Sequence, residues 1–256
     1  MKRITFFVYG IICYLLGVSV LIYLIAFLGD FIVPKTIDGA RNANIWYAVI
    51  KNILLVAIFG LQHSLMARPA FKQKWTRFVA KPVERSTYLL FTFFALGLLM
   101  WQWEPVGGVV WSVAADSPVY WAFYTVFALG WMVLFTASFL INHFDLFGLR
   151  QVYLYMINKP YAPLVFKEKL FYKSFRHPIY TGLVMGIWFT PNMTISHLFL
   201  AVLLTGYILY AITLEERDLI NEWGEKYTSY MERTGGLLPN LWKMRQRRFS
   251  QSQSKT

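Results

Sequence analysis

Apolar residues along this chain fall into long unbroken blocks, not into the alternation of a half-buried strand or the one-sided stripe of a soluble helix. A membrane span needs about 20 such residues. Four blocks qualify without interruption: Ile4–Phe27, Ile45–Met66, Ser86–Trp103 and Val119–Ile141. Trp46, Trp101, Trp103 and Trp121 lie near their ends, where amphipathic rings favour the head-group region. The first block is too long for the apolar part of a signal peptide and reads as a retained span. A fifth block, Ile179–Leu214, is broken at Thr190-Pro191-Asn192-Met193, and proline ends a helix or bends it sharply. The limb before the break, Ile179–Thr190, would be only about 18 Å long. The limb after it, Ile195–Leu214, reaches about 30 Å, enough to cross the hydrocarbon core. Beyond it Leu219, Ile220, Trp223, Tyr227, Tyr230 and Met231 recur at helical spacing among charged residues, which predicts an amphipathic helix with Gly224 inside it.

Charge orients these pieces. Arg68, Lys72, Lys74, Arg77, Lys81 and Arg85 follow the second block, and Arg150, Lys159, Lys167, Lys169, Lys173 and Arg176 follow the fourth. The connection 104–118 has no Lys or Arg. By the positive-inside rule both basic loops, and the N-terminus with Lys2 and Arg3, are cytoplasmic. The segment after Leu214 is also basic, so both ends of Ile179–Leu214 lie inside. One kinked span cannot satisfy that, whereas a hairpin can. The expected fold is therefore an all-α integral membrane protein with both termini cytoplasmic. It has four transmembrane spans, a C-terminal helical hairpin with a short first limb packed on protein, and a cytoplasmic amphipathic helix. Residues 1–145 form the four-span bundle, 146–242 the loop, hairpin and site, and 243–256 a disordered basic tail.

Composition supports a lipid-embedded chain: 57% of residues are hydrophobic and 15% charged, against about 25% charge in an average globular protein. A net charge of +12 in a soluble protein would suggest nucleic acid, but here the basic residues punctuate apolar blocks. Cys13, the only cysteine, excludes an intrachain disulfide and a cysteine-based metal site. No Gly-rich dinucleotide fingerprint, P-loop or H-E-x-x-H zinc motif is present, and no metal is expected.

Polar residues at span ends are costly and therefore candidates for function. Gln62 and His63 close the second span; Asn142, His143 and Asp145 follow the fourth; Arg176, His177 and Tyr180 open the hairpin; Glu215 and Glu216 close it. By the charge argument all lie in one leaflet, which predicts a polar pocket there. Each has a plainer reading: an interfacial histidine, a helix cap with its ion pair, a solvated carboxylate or a positive-inside anchor.

The run Arg176-His177-Pro178-Ile179-Tyr180-Thr181-Gly182, then Glu215-Glu216, then Gly224-Glu225-Lys226-Tyr227 with Tyr230, and Pro239, resembles the isoprenylcysteine carboxyl methyltransferase superfamily. Gly60-Leu61-Gln62-His63-Ser64, Lys81-Pro82-Val83-Glu84-Arg85 and residues Asn142 to Gln151 look like its bacterial methanethiol S-methyltransferase branch, related to NnrU-type membrane proteins. The resemblance implies S-adenosylmethionine (S-adenosyl-L-methionine) as methyl donor, a small thiol (methanethiol) as acceptor and dimethyl sulfide as product. It implies that Arg176 and His177 meet the donor carboxylate, that Tyr180 and Gly182 line its channel, and that Glu215 or Glu216 holds its ribose or amine. Tyr227 and Tyr230 would close the site. A thiol reacts poorly until deprotonated, so a base would help: His143 oriented by Asp145, with His63 as second candidate. Phe144, Trp101, Trp103 and Tyr88 are plausible walls for the acceptor. Three alternatives stay open: another acceptor such as a different thiol, a prenylcysteine carboxylate or a lipid; a nicotinamide-dependent reductase on the same hairpin; and a haem protein with His63 and His143 as axial ligands.

Overall fold

A computed structural model of the protein describes residues 1–41 and 43–240; the tail expected to be disordered, 243–256, lies outside them. Among the described residues five helices are long and apolar enough to cross a membrane: α1 (Lys2–Gly29), α2 (Ile45–Ala67), α4 (Lys81–Gln102), α5 (Pro118–Ile141) and α9 (Ile195–Trp223). The short helices are α3 (Pro69–Trp75), α6 (His143–Leu146), α7 (Leu149–Met156), α8 (Pro178–Trp188) and α10 (Glu225–Arg233). Among the described residues the chain is an all-helical multi-pass membrane protein apart from one small two-stranded ribbon.

Local chemistry sets the helix starts. The Asn44 side chain accepts the Trp46 N–H at 2.9 Å and begins α2. Ser117 accepts the Val119 N–H at 3.2 Å, and Pro118 occupies the first helical position of α5, where its fixed φ suits the turn. Helix α4 starts several residues before the apolar block at Ser86, because Pro82 and the first-turn Glu84 make 81–85 a good helix opening. The α1 side chains Ile4, Val8, Ile12 and Leu15 point outward, which suits lipid, while Gly10, Cys13 and Gly17 are buried.

The bundle has two distinct ends. At one, Lys51 pairs with Glu104 at 2.8 Å, Asn52 bonds the Glu104 backbone on both sides, and the Tyr124 hydroxyl donates to Gly29 O at 2.9 Å. There strand β1 (Val109–Ser112) pairs antiparallel with β2 (Asn192–Thr194). The backbone freed by the break at Pro191 is thus satisfied by protein: Val113 N donates to Pro191 O at 3.1 Å, and Trp111 Nε1 to Thr190 O at 3.1 Å. At the other end Tyr9 meets Thr87, Arg85 Nε donates to Leu146 O at 2.9 Å, and Arg68 pairs with Asp218 at 2.8 Å.

Helix α8 lies against α5 with almost no side chain between them. A Cβ built on Gly182 would come within 2.4 Å of Gly130 O and 2.6 Å of Leu134 N. Gly182 and Gly186 form the small-residue spacing that lets membrane helices touch backbone to backbone. Along its other side α8 meets α9 running in the opposite direction: Trp188 bonds Thr205, and Tyr180 bonds Glu215, both at 2.9 Å.

One expectation is corrected here. The residues from Leu219 to Met231 do not form one helix through Gly224. Helix α9 continues to Trp223, Gly224 takes φ 53 and ψ −131, and α10 starts afresh. A Cβ at Gly224 would meet nothing within 4 Å, so the backbone angle, not a close approach, requires glycine.

Candidate active site

The polar cluster is assembled by three chain segments. The turn before α8 supplies Arg176 and His177, the last turns of α9 supply Glu215 and Glu216, and α10 with the residues after it closes over them. Pro178 opens α8, so the chain arrives extended and turns the His177 ring inward, 5% exposed. Backbone bonds from Arg176 N to Gly235 O (3.0 Å) and from Gly235 N to Ser174 O (3.1 Å) tie the C-terminal segment to this turn.

Glu216 is the hub. Its Oε1 accepts from Arg176 Nε at 2.7 Å and lies 2.9 Å from His177 Nε2. Arg176 Nη1 donates onward to Thr234 O at 2.9 Å and Met231 O at 3.3 Å. Both side chains of the ion pair are mostly buried, at 13% and 16% exposure. In this structure both Arg176 and His177 are engaged by the chain's own Glu216 and backbone, so a bound carboxylate would share them with Glu216. The neighbouring Glu215 is different. Tyr180 donates to its Oε2 at 2.9 Å, its side chain is 42% exposed, and its other oxygen has no hydrogen-bond partner among the described residues.

Helix α10 lays two tyrosines over this pair. Tyr230 donates to Tyr172 O at 2.6 Å, and Phe166 packs edge-on against both Tyr230 and Tyr227, with centroids 5.1 and 6.0 Å away. Tyr227 is only 2% exposed, yet its hydroxyl has no hydrogen-bond partner among the described residues. Burial, reinforced by the Glu216 charge, pushes the Tyr227 phenol well above its usual range, and burial with Glu168 does the same to Tyr230. Both stay neutral donors at any working pH. Gly182 is not part of this lining; it is spent on the contact with α5.

The histidine expectations divide. His143 is 3% exposed and stacked between Phe139 (4.2 Å) and Phe147 (4.5 Å). Its Nδ1 lies 2.8 Å from Ser138 Oγ, and its Nε2 lies 3.1 Å from the Tyr14 hydroxyl. The Ser138 hydroxyl donates to Phe135 O at 2.7 Å, which leaves Oγ to accept from Nδ1–H and gives Nε2 the lone pair. Asp145 does not orient this ring, which is a second correction: it pairs with Arg150 at 2.7 Å and accepts from the Tyr161 hydroxyl at 3.3 Å. His63 stacks on Phe59, and its Nδ1 lies 2.9 Å from the Tyr88 hydroxyl and 3.3 Å from Thr92 Oγ1. The same face of α2 reaches α9, where Ser64 bonds the Tyr207 hydroxyl at 3.0 Å. Trp101 and Trp103 cannot share a wall with Tyr88. They sit at the opposite end of α4, about 20 Å away along the axis, and Trp103 is fully buried in the core at that end.

Methanethiol S-methyltransferase of Crocosphaera subtropica is 46% identical to this chain, over 95% of the chain and 95% of its own length. The chain belongs to the methanethiol S-methyltransferase family. The Mycobacterium tuberculosis methanethiol S-methyltransferase is also 46% identical, covering 93% of this chain and 98% of its own length. Nurim of Rattus norvegicus is 33% identical over 70% of this chain and 71% of its own length. No family model matches the chain, and no solved structure matches it. In this member of the methanethiol S-methyltransferase family, the cluster also depends on residues that no sequence pattern singles out. Phe166 packs on the two tyrosines, Tyr172 O anchors Tyr230, and the Thr181 hydroxyl lies between His177 O and Leu237 O, its one proton shared between them. Thr234 anchors Arg176 through its carbonyl, which any residue carries, so its identity holds no signal.

Proposed function

We propose that the protein transfers the methyl group of S-adenosylmethionine to methanethiol, giving dimethyl sulfide, at the cytoplasmic end of a bacterial inner-membrane bundle. The observation that carries this reading is the likeness, across 95% of the chain, to proteins named for that acceptor. The cluster fits such a donor chemically. Among the described residues one Glu215 carboxylate oxygen and the Tyr227 hydroxyl have no hydrogen-bond partner, which suits a hydroxyl or an ammonium, and the rings of Phe166, Tyr227 and Tyr230 offer faces to an aromatic base or a cation. When bound, the donor supplies an electrophilic methyl group on a sulfonium.

The chain's residues then have distinct tasks. Arg176 and His177 hold Glu216, which fixes the end of α9 and so aims Glu215. Tyr180 holds the other Glu215 oxygen. Tyr227 and Tyr230, on a helix separated from α9 by the Gly224 turn, cover the site and exclude water. Orientation follows from charge: the basic residues of 68–85 and 150–176 lie at the Arg176 end, which the positive-inside rule puts in the cytoplasm. Helix α8, at about 17 Å, is too short to cross and makes the short limb of a hairpin with α9. The thiol proton goes to an imidazole. Both histidines are hydrogen-bonded and stacked on aromatic rings, but His63 fits that task better: it is less buried than His143, and its helix α2 reaches α9, which carries Glu215, through the Ser64–Tyr207 bond.

The test is a sealed-vial assay. Purified protein, S-adenosylmethionine and methanethiol are mixed and headspace dimethyl sulfide is measured, with Glu215→Gln, His63→Ala and His143→Ala beside the wild type. Wild-type product, with a loss of at least about tenfold for Glu215→Gln at unchanged Tm, supports the reading. Bound donor without product removes methanethiol as the acceptor. Absence of donor binding removes the methyltransferase assignment for this site. Turnover that survives His63→Ala and falls in His143→Ala reverses the choice of base.

A further inference from the structure

Away from the Glu215–Glu216 cluster, a cavity of ≈ 680 Å³ opens at the same end of the bundle, between the start of α4, α7 and the 159–161 loop. Its charged lining is Lys72, Lys81, Arg85 and Lys159 against Glu84 and Asp145. Asp145 is already matched by Arg150, so four cations face one unmatched carboxylate. None of the four cations makes an ion pair among the described residues; Arg85 donates its Nε to Leu146 O and lies over the Tyr88 ring at 5.2 Å, and neither contact brings a counter-charge. Burial and the nearby Arg85 hold the Lys72 ammonium below its usual range. Four like charges gathered around a hollow with one unmatched carboxylate between them are unfavourable unless a further anion completes them. The Lys81–Arg85 and Asn142–Gln151 motifs, from segments about 60 residues apart in sequence, meet on this cavity, and the methyl-transfer reading leaves it without a task.

We propose that this cavity holds the phosphate group of an anionic phospholipid head group. Its place in the fold selects the lipid as the source. The cavity sits at the first turn of a spanning helix, where the chain enters the hydrocarbon, and Tyr155 and Tyr161 complete its wall with amphipathic rings suited to that level. By the orientation proposed above this is the cytoplasmic leaflet, whose surface is anionic and attracts basic pockets between spans. The inference rests on that orientation and not on the methyl-transfer chemistry.

Native mass spectrometry of the full-length protein in detergent, with phosphatidylglycerol or phosphatidylcholine of matched chains, tests it without using turnover. The wild type is expected to retain phosphatidylglycerol in preference. A Lys72→Gln/Lys159→Gln variant should weaken that binding about thirtyfold, at the usual gain per cation. A Lys74→Gln/Arg77→Gln variant removes the same charge from exposed positions just outside the cavity and should bind as the wild type does. Tm in phosphatidylcholine checks folding; if the double variant has fallen, Lys159→Gln alone, in a loop, takes its place. A second arm follows Tm with inorganic phosphate at constant ionic strength. Stabilisation by phosphate that depends on Lys72 and Lys159, without any phosphatidylglycerol preference, would make the ligand a soluble phosphate and overturn the lipid assignment. Equal losses in both charge-removal variants, or no preference in the wild type, would overturn the site altogether.

Discussion

Replacing Gly182 with alanine tests the link between helix packing and the site. The added methyl would sit 2.4 Å from Gly130 O and 2.6 Å from Leu134 N, both backbone atoms of α5. Carbon contacts settle near about 3.5 Å, and no rotamer can relieve a clash with backbone, so α8 and α5 must part by about 1 Å. Overpacking of this kind costs about 1–3 kcal/mol, roughly 5 °C in Tm for a chain of this size. The movement also reaches the chemistry, because the residues just before Gly182 include Tyr180, bonded to Glu215 at 2.9 Å, and His177, bonded to Glu216 at 2.9 Å. A misplacement of about 1 Å can reduce turnover about a hundredfold. Thermal unfolding in detergent and headspace dimethyl sulfide would be measured together. Gly206→Ala and Gly97→Ala serve as controls: a Cβ at either meets nothing within 4 Å, so each should be neutral or stabilising by up to about 1 kcal/mol. A Gly182→Ala protein with wild-type Tm and a raised KM for the donor would refute the packing argument and return Gly182 to the donor channel.

Three further outcomes are expected. Tyr227→Phe removes a hydroxyl without a hydrogen-bond partner among the described residues, so Tm should stay within the effect of about 0.5 kcal/mol while the KM for the donor rises; a clear fall in Tm would show that the hydroxyl has a structural role. Asp145→Asn strips Arg150 of its counter-ion and should cost about 1–3 kcal/mol in thermal stability, with turnover per folded molecule changed less than about threefold; a loss matching that of His63→Ala would restore Asp145 to the catalytic machinery. Asp38, in the loop between α1 and α2, accepts a hydrogen bond from Thr194, but burial raises its carboxyl from 3.8 to about 6. The folded state therefore binds the proton more tightly than the unfolded state. Stability should fall as pH rises from about 4 to 6, by at most about 3 kcal/mol, and stay at the lower level above that. Tm of Asp38→Asn should lack this step, and an identical pH profile for wild type and variant would remove Asp38 as its source.

Much of the architecture is legible in the chain itself. Lipid cannot solvate a backbone or a charge, so every crossing must be an uninterrupted apolar run, and such runs can be read without knowing what packs against what. The same constraint explains why Pro191, in the middle of the fifth run, had to find protein partners. The charge asymmetry between 68–85 and 104–118 is equally local information, as is the R-H-P-x-Y-x-G and E-E pattern that led to Glu215 and Glu216.

Partnership between helices is not encoded that way. Periodicity reports which solvent a residue prefers, and it is silent about which of several equally apolar helices will lie alongside. The tertiary structure alone decided that His143 bonds Tyr14, 129 positions away, and not its sequence neighbour Asp145. It also decided that Gly182 meets α5, and that Trp101 and Trp103 belong to the far end of α4 from Tyr88. The same holds for Arg176 and His177. A cation beside a predicted binding site reads as a ligand contact in sequence, because sequence cannot show that a carboxylate 40 positions on already occupies it. Gly224 makes the point on the smallest scale. Its neighbours have helical spacing, but the change of direction that brings Tyr227 and Tyr230 over the site requires a backbone angle that only packing against the rest of the fold selects.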